Sequence, residues 1–177
     1  MSQPLIIAIG NGACNIADSI QSQGFEGAKF AFLDTEPDDL ENHSGAGKTI
    51  LLPSTGAERY DAFNRLFASD VERVVIIACL GGHTGTHFSL FAARVAKLAG
   101  KSPVCVVTLP FDFEGARRKV LAKKALDAIK ECTPKVLVFD NEDLNKKYPD
   151  LGVIDAFKKV DMQMAAALRK IFICQLE

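Results

Sequence analysis

Short runs of apolar, β-forming residues alternate with stretches of helical periodicity along most of the chain. Uninterrupted apolar runs are typical of strands buried on both faces of a parallel sheet. Six such runs predict strands at residues 5–9, 29–33, 49–52, 71–78, 103–108 and 135–139. Helices are predicted at residues 16–23, 57–67, 88–98, 114–131 and 153–173. The alternation predicts one α/β domain over residues 1–177, with a three-layer, Rossmann-like parallel sheet, helices on both faces and a long final helix.

The loops that follow the predicted strands are rich in small and polar residues. Right-handed crossovers bring the carboxyl ends of parallel strands to one edge of the sheet, where ligands of such folds bind. Five loops meet at this edge, at residues 10–15, 34–36, 79–87, 109–114 and 140–143. We therefore expect the binding site there.

The segment 79–87 lies between a predicted strand and a predicted helix. Its glycines allow close approach of the backbone to a ligand, and Thr84 and Thr86 add hydroxyl groups. A helix N-terminus reached through such a loop attracts anions. The segment is therefore either a phosphate cradle or a tight turn that is rich in glycine, and the loop alone does not decide between them.

Composition excludes several classes of partner and predicts a compartment. The 177 residues carry a formal net charge of -1, which argues against nucleic acid and anionic membranes as partners. No basic segment precedes the first apolar run, so no signal peptide is expected, and no apolar run is long enough to span a bilayer. The five cysteines are widely spaced and odd in number, which favours reduced thiols in a cytoplasmic protein over disulfides or a zinc site.

Two glycine motifs are imperfect matches to nucleotide fingerprints. Residues 10–15 (GNGACN) lack the third glycine of the dinucleotide motif, although Asp34 stands where that motif has its ribose-binding acid. Residues 45–49 (GAGKT) imitate a P-loop, but position 42 is Asn rather than Gly, and a strand follows where a helix is required. The first motif supports a nucleotide without identifying it, and we reject the second.

Three further sets of polar residues have both a structural and a functional interpretation. His83 and His87 have the spacing of metal ligands on one helical face, but no third ligand is evident and the pair straddles the predicted start of a helix, so we expect no metal site. Glu114 and Arg118 are either a surface ion pair or two groups at the edge of the cleft. Asp161 adjoins the apolar stripe of the final helix, and either reaches solvent or accepts hydrogen bonds from a buried donor.

Four segments, in chain order, resemble motifs of the tubulin/FtsZ family, specifically the nucleotide-binding half of FtsZ. Residues 80–87 (LGGHTGTH) are similar to the family's G-G-G-T-G-T-G phosphate loop, and residues 110–118 (PFDFEGARR) to its P-F-x-F-E-G-x-x-R segment. Residues 139–144 (FDNEDL) are similar to I-P-N-D-K-L, and residues 154–161 (IDAFKKVD) to the L-D-A-F opening of the family's central helix. The resemblance implies a domain that binds GTP or GDP, with Mg²⁺ accompanying the nucleotide.

The resemblance also implies a role for each candidate site residue. The phosphates would be cradled by two loops, which contain Gly10, Asn11, Gly12, Ala13 and Cys14, and Gly81, Gly82, His83, Thr84, Gly85 and Thr86. The sugar and its neighbouring phosphates would lie near Asp34 and Thr35, and the ribose would be held by Glu114, Arg118 and Asn141. The base would be bound by Asn15 and Asp161 and would stack on Phe157. A carboxylate accepts both the N1–H and the N2–H of guanine, donors that adenine lacks.

The chain departs from the family pattern at positions that bear on activity. Histidines replace glycines at positions 83 and 87, and the segments 10–15 and 53–56 are shorter than in the family. In the family, catalytic acids and a second domain follow the central helix, so we expect no catalytic residues in this chain, weak or no GTP hydrolysis, and no polymerisation of the chain alone. The resemblance implies a link to cell division or filament regulation, with a full-length FtsZ-like homologue or a second copy as partner.

Two alternatives remain open on the residues alone. One is a structural or interaction protein that keeps the fold but has lost nucleotide binding, which the two histidines and the short loops favour. The other is a Rossmann-type enzyme that uses NAD or FAD, which residues 10–12 and Asp34 suggest.

Overall fold

A single parallel sheet forms the centre of the protein. The computed structural model describes residues 3–25, 27–43, 47–67 and 70–173. Its strands are β1 (Leu5–Ile9), β2 (Lys29–Asp34), β3 (Gly47–Leu51), β4 (Val74–Cys79), β5 (Val104–Leu109) and β6 (Val136–Asp140). All neighbouring strands pair in parallel, in the order β3-β2-β1-β4-β5-β6. The predicted α/β fold with a parallel sheet is therefore confirmed.

The strand order reverses between β1 and β4. The chain builds the sheet outwards from β1 to β3, then returns to the centre and builds from β4 to β6. The crossovers on the two sides leave a crevice at the carboxyl ends of β1 and β4, which is the usual ligand position in such sheets. Both of these strand ends are followed by glycine-rich segments, at residues 10–12 and 81–85.

Helices cover both faces of the sheet. They are α1 (Asn11–Ser22), α2 (Pro37–Glu41), α3 (Gly56–Leu66), α4 (His83–Leu98), α5 (Ala116–Cys132), α6 (Asn141–Lys147) and α7 (Val153–Ile173). Buried residues of α3, α4 and α5 pack against one face. Buried residues of α1, α2, α6 and α7 pack against the other face. These two apolar layers hold the strand ends at fixed positions, so the loops between them form a preorganised site.

Helices α1 and α4 begin earlier than the sequence predicts, at Asn11 rather than Ile16 and at His83 rather than Phe88. The residues predicted as loops are therefore the first turns of helices. Gly10 adopts a φ of 89°, which lets the chain turn from β1 directly into α1. Because the first turns hold small and polar residues, they carry no apolar periodicity by which they could be recognised.

Two short helices are absent from the prediction. Helix α2 lies in the segment predicted as a polar loop, and α6 lies where a loop and connector are predicted. Leu40 is the only buried residue of α2, and Leu144 is the only buried apolar residue of α6. One buried leucine cannot produce a helical pattern, so charged side chains dominate both segments.

The segment that imitates a P-loop leads into a strand rather than a helix, which agrees with our rejection of that motif. Gly47 begins β3, which pairs with β2. Gly45 and Ala46 of the motif, and Cys174 among the cysteines, lie outside the described residues. Within the described ranges, no helix has the length and apolar character needed to cross a membrane.

Candidate functional site

A cleft of about 670 Å³ lies at the carboxyl ends of the central strands. This volume is within the range of small-molecule sites, which is about 300–1,000 Å³. Loops from both halves of the sheet contribute to its walls, together with the first turns of α1 and α4 and one side of α7. The structure thus brings together the strand-end segments that the sequence predicts to meet.

The N-termini of α1 and α4 lie in this cleft and lack side-chain caps. Helix α1 is preceded by Gly10 and helix α4 by Gly82, and neither glycine offers a side-chain oxygen to the first-turn N–H groups. By contrast, Thr55 caps α3 and Asp140 caps α6, since the side chain of each accepts a hydrogen bond from a backbone N–H. The free N–H groups and positive ends of α1 and α4 therefore suit an anion in the cleft.

Glycines let the two uncapped turns approach each other. A Cβ atom on Gly10 would lie 3.2 Å from the backbone nitrogen of Gly85, and one on Gly85 would lie 2.5 Å from the carbonyl oxygen of Cys79. A Cβ atom on Gly12 would lie 3.1 Å from the Cys79 sulfur. These glycines are therefore required by packing between β1, α1, β4 and α4, in addition to any ligand.

Asp34 fixes the geometry of the cleft wall. Its carboxylate is buried and its Oδ1 accepts hydrogen bonds from the Thr35 backbone N–H at 2.7 Å and from the Thr84 hydroxyl at 3.2 Å. The Thr35 and Thr84 hydroxyls lie 3.1 Å apart. Asp34 thus connects the end of β2 to the first turn of α4. From the sequence, Asp34 is predicted only to contact the sugar and phosphates of a nucleotide. In the structure, its hydrogen bonds are to protein groups.

Glu114 and Arg118 form an ion pair on the opposite side of the cleft. Glu114 Oε2 accepts a hydrogen bond from Arg118 Nη1 at 2.8 Å, and Glu114 Oε1 accepts one from the Phe111 backbone N–H at 2.8 Å. Both residues line the cleft. The two interpretations that the sequence allows are therefore compatible, since the residues form an i,i+4 ion pair and also lie in the cleft wall.

Asn141 has an unsatisfied acceptor in the same wall. Only 5% of the residue is exposed, and its Oδ1 has no hydrogen-bond partner in the described part of the chain. Leaving a buried acceptor unpaired costs about 1–3 kcal/mol. Because Asn141 lines the cleft, a hydroxyl or N–H of a ligand can supply the missing donor.

Asp161 is a partly buried carboxylate on α7 that faces the cleft. Burial raises the pKa of Asp161 above its usual range. Its carboxylate makes no hydrogen bond or ion pair with any described residue. A desolvated acceptor without a partner is costly unless a ligand provides donors.

Phe157 lies one turn before Asp161 and also lines the cleft. Its ring contacts Phe111 edge to face at 5.2 Å between centroids, and it remains 43% exposed. The helical spacing of the apolar residues in α7 would place Phe157 in the core together with Val160, Met164 and Leu168. Those three residues are buried, whereas Phe157 is not. The first turn of α7 extends over the cleft, which leaves one aromatic surface free there.

Most of the predicted site residues line the cleft. They are Gly10, Asn11, Gly12, Ala13, Asn15, Asp34, Thr35, Gly82, His83, Thr84, Gly85, Glu114, Arg118, Asn141, Phe157 and Asp161. The exceptions are Cys14, Gly81 and Thr86. The Cys14 thiol is buried against the Ala8 carbonyl, and the Thr86 hydroxyl accepts a hydrogen bond from the Gly81 N–H at 2.8 Å, so both side chains are directed into the protein.

Several cleft residues were missed by sequence reasoning. Glu36, Cys79, Leu80 and Pro110 belong to loops that were predicted to meet at the site but were not named as contacts, whereas Asp39 and Thr108 lie outside those loops. Thr108 lies near the carboxyl end of β5, and Cys79 lies at the carboxyl end of β4. Their positions at the ends of predicted strands could have identified them as cleft residues. Asp39 belongs to α2, which no sequence pattern marks.

The Cys79 thiol provides a probe of the cleft. The pKa of Cys79 is raised to about 11, mainly by burial and in smaller part by the carboxylates of Asp161 and Glu114, against a hydrogen bond with Thr108 that lowers it. We expect iodoacetamide to alkylate Cys79 more slowly than Cys132, which is outside the cleft and serves as the control. Peptide mapping by mass spectrometry measures both rates. Equal rates for the two thiols would contradict the expectation.

Known proteins with this fold were identified by sequence and by structure. Residues 63–149 match the family model described as Tubulin/FtsZ family, GTPase domain. Cell division protein FtsZ 1 of Thermococcus kodakarensis is 33% identical over 94% of this chain and 48% of its own length. Cell division protein FtsZ of Aquifex aeolicus is 31% identical over 94% of this chain and 50% of its own length.

Solved structures agree with these sequence matches. An empty FtsZ dimer from M. jannaschii superposes with a TM-score of 0.85 at 26% identity, covering 97% of this chain and 54% of that one. CetZ from Methanosaeta thermophila shares the fold alone, with a TM-score of 0.76 at 19% identity over 99% of this chain and 54% of its own. The chain spans about half the length of the curated relatives it matches. On its motifs, its fold and these matches, the chain is an FtsZ-like member of the tubulin/FtsZ family.

Proposed function

We propose that the cleft binds a guanine nucleotide, GTP or GDP. The observation that carries this proposal is the polarity of the cleft. Asp161, a partly buried carboxylate without a partner among the described residues, lines one part of it, while the uncapped N-termini of α1 and α4 supply backbone donors in another. A guanine nucleotide has the complementary polarity, because its base presents N–H donors and its phosphates are anionic acceptors.

The phosphates would lie against the N-termini of α1 and α4. Thr84, held by Asp34, would add a hydroxyl to the backbone donors of these turns. Mg²⁺ that accompanies the nucleotide would find oxygen ligands in the side chains of Glu36 and Asp39, which also line the cleft. This part of the site therefore suits phosphate groups, because it offers them hydrogen-bond donors and offers oxygen ligands to the Mg²⁺ ion that accompanies them.

The ribose would lie between the phosphates and the base. The unsatisfied Oδ1 of Asn141 suits a ribose hydroxyl as its donor. Glu114 and Arg118 offer an acceptor and a donor nearby, although their mutual hydrogen bond has to share these groups with the sugar. Phe157 offers an exposed ring on which the base can stack.

Asp161 would give the site its preference for guanine. Its carboxylate can accept the N1–H and the exocyclic N2–H of guanine at the same time. Adenine presents an acceptor at N1, so the same carboxylate would repel it and remain unpaired. Asn15, which is exposed on the facing helix α1, would contact the other edge of the base.

Calorimetric titration with GDP, GTP and ATP tests the proposal directly. We expect one site per chain for GDP and GTP, and at least about 10-fold weaker binding of ATP, which corresponds to one hydrogen bond to a charged group. If neither GDP nor GTP bound at millimolar concentration, the proposal would be excluded. Such a result would favour the alternative of an interaction protein that has lost its ligand.

The pH dependence of binding follows from Asp161. Its pKa in the free protein is raised by burial, and guanine binds the ionised form, so GDP affinity should increase as pH rises through that pKa and then level off. In the unliganded protein, pH has the opposite effect on the stability of the fold. The folded state holds this proton more tightly than the unfolded state, so the contribution of Asp161 to stability decreases as pH rises through the same window. Titrations between about pH 4.5 and pH 8 measure the profile. Asp161→Asn should remove the part of the increase that comes from Asp161 and leave the part due to the terminal phosphate of GDP, whose second pKa is about 6. An unchanged profile in this variant would contradict the assignment.

We further propose that the 177-residue chain by itself hydrolyses GTP slowly and does not polymerise. Arg118 is the only lysine or arginine among the described residues that line the cleft, and its guanidinium is paired with Glu114. Phosphoryl transfer needs cationic groups and a positioned water at the γ-phosphate. We expect phosphate release on the order of 10⁻³ s⁻¹ or slower, as in GTPases without such groups. Faster release, or a rise in light scattering on addition of GTP and Mg²⁺, would contradict this proposal.

The biological role proposed for this domain follows its relatives, which are named as cell division proteins. We propose a role in cell division or filament regulation, with a full-length FtsZ-like homologue or a second copy as the protein partner. The dinucleotide alternative explains the turn at residues 10–12 but gives no role to Asp161 or to the unpaired Asn141.

A further inference from the structure

His83 and His87 lie on consecutive turns of one helix. Helix α4 begins at His83, so both residues are helical and their side chains share one face. The expectation that this pair straddles a helix start, which was one reason to exclude a metal site, is therefore wrong. Both side chains are exposed, and neither makes a hydrogen bond or ion pair with a residue that the structure describes.

The geometry of the pair fits one tetrahedral metal ion. The imidazole centroids are 5.0 Å apart, and the ring planes are inclined by 64°. A Zn²⁺ ion bound to two imidazole nitrogens at about 2.1 Å with a tetrahedral angle would hold the two centroids about 5 Å apart. The separation of the two ring centroids is therefore compatible with both imidazoles binding one ion. Two histidines at this spacing on one helical face are a recurrent zinc-binding arrangement.

The position of the pair determines what would complete the coordination. His83 lines the cleft beside Thr84, at the N-terminus of α4. The positive end of a helix disfavours a cation by about 0.3–1 kcal/mol, so a metal ion here needs an anionic ligand. The phosphates of a nucleotide would lie against this same helix terminus, and a phosphate oxygen is a suitable ligand for the ion.

We infer that His83 and His87 form a two-histidine site for a transition-metal ion of the Zn²⁺ class, and that a nucleotide phosphate and water supply the remaining ligands. The metal site stands on the histidine geometry, while the phosphate ligand rests on the proposed function. Because the phosphate binds both the metal and the helix terminus, the metal and the nucleotide strengthen each other's binding, by the same factor in both directions. The histidines at positions 83 and 87 then make nucleotide binding sensitive to metal.

Titration with Co²⁺, an absorbing substitute for Zn²⁺, tests the two-histidine site. The chain has three histidines, and the third, His43, is buried and paired with Asp18. We expect one ion per chain, without the sulfur-to-metal charge-transfer absorption that thiolate ligands would produce. His83→Ala and His87→Ala should each weaken binding by more than about 10-fold, since losing even a group that orients a ligand costs about 10- to 100-fold.

Arg94→Ala, an exposed change on the same helix, is the matched control and should bind Co²⁺ like the unmodified chain. Equal affinity in the unmodified chain and in both histidine variants would overturn the site, as would a thiolate charge-transfer band.

A second titration tests the link to the nucleotide. With GDP bound, excess Mg²⁺ present and the binary Co²⁺–GDP constant measured separately, Co²⁺ affinity should increase at least about 5-fold, the lower end of typical coupling between sites, and His83→Ala and His87→Ala should remove this increase. Equal Co²⁺ affinity in the free and GDP-bound chain would overturn the phosphate ligand. GDP binding is recorded in the same experiment. Its failure counts against the proposed function, and the titration of the free chain still decides the metal site.

Discussion

Asp161→Ala is expected to lower GDP affinity by about 10- to 100-fold, because a hydrogen bond to a charged group is worth about 1.5–3 kcal/mol. The carboxylate faces the cleft without a partner in the described part of the chain, so no protein group there competes with the ligand for its oxygens. ATP binding should change little or improve, since adenine has no N1–H to donate. The preference for guanine should therefore disappear. Calorimetry with GDP and ATP on the variant and the unmodified chain measures both effects.

Asp155→Ala is the matched control for this change. Asp155 lies on the same helix, is mostly exposed, and makes only a 3.8 Å ion pair with Lys158. It is absent from the lining of the cleft. If both variants lost GDP affinity equally, the effect would come from the charge of α7 rather than from contact with the base. Retention of the guanine preference in Asp161→Ala, with the fold intact, would contradict the proposed role.

Gly85→Ala is expected to destabilise the fold and to weaken nucleotide binding together. The added methyl group would lie 2.5 Å from the Cys79 carbonyl oxygen, a backbone atom of the central strand β4. That atom cannot move without disturbing the sheet, so the first turn of α4 has to shift away from it. Overpacking of this kind costs about 1–3 kcal/mol in the free energy of unfolding. The same shift displaces the backbone donors proposed to bind the phosphates. Urea unfolding and GDP titration measure the two consequences.

Gly56→Ala controls for the general effect of replacing a helical glycine. Gly56 is in the first turn of α3, and apart from its chain neighbours and the backbone of its own helix, a Cβ atom there would meet nothing within 4 Å. We expect its stability to be unchanged or slightly higher. A Gly85→Ala protein as stable as Gly56→Ala, and with normal GDP affinity, would mean that the close approach of α4 to Cys79 has no functional consequence.

The centre of the sheet could be predicted from the sequence because strands β1, β2, β4 and β5 are almost entirely buried. Uninterrupted apolar runs such as 5–9 and 74–78 leave little choice of structure, and each of these residues is almost completely buried. The convergence of the loops then follows from the parallel topology. This is why residues distant in sequence, such as Gly10, Asn141 and Asp161, could be expected at one cleft. Their roles in binding stay predictions.

The remaining features depend on contacts that no local pattern carries. The early starts of α1 and α4 arise from glycine turns in residues that have no apolar period. Asp34 accepts a hydrogen bond from Thr84, which lies far away in the sequence, in the first turn of α4. The unpaired Oδ1 of Asn141 is visible only when its surroundings are known. The geometry of the His83–His87 pair also depends on the helix start, so sequence reasoning discounted a pair that the structure brings onto one face.

A crystal structure of the chain with GDP tests the central claim most directly. The account predicts the guanine N1–H and N2–H within hydrogen-bond distance of the Asp161 carboxylate, at about 2.7–2.9 Å. It also predicts the phosphates at the N-termini of α1 and α4. A nucleotide bound elsewhere, or bound in this cleft with its base away from Asp161, would contradict it.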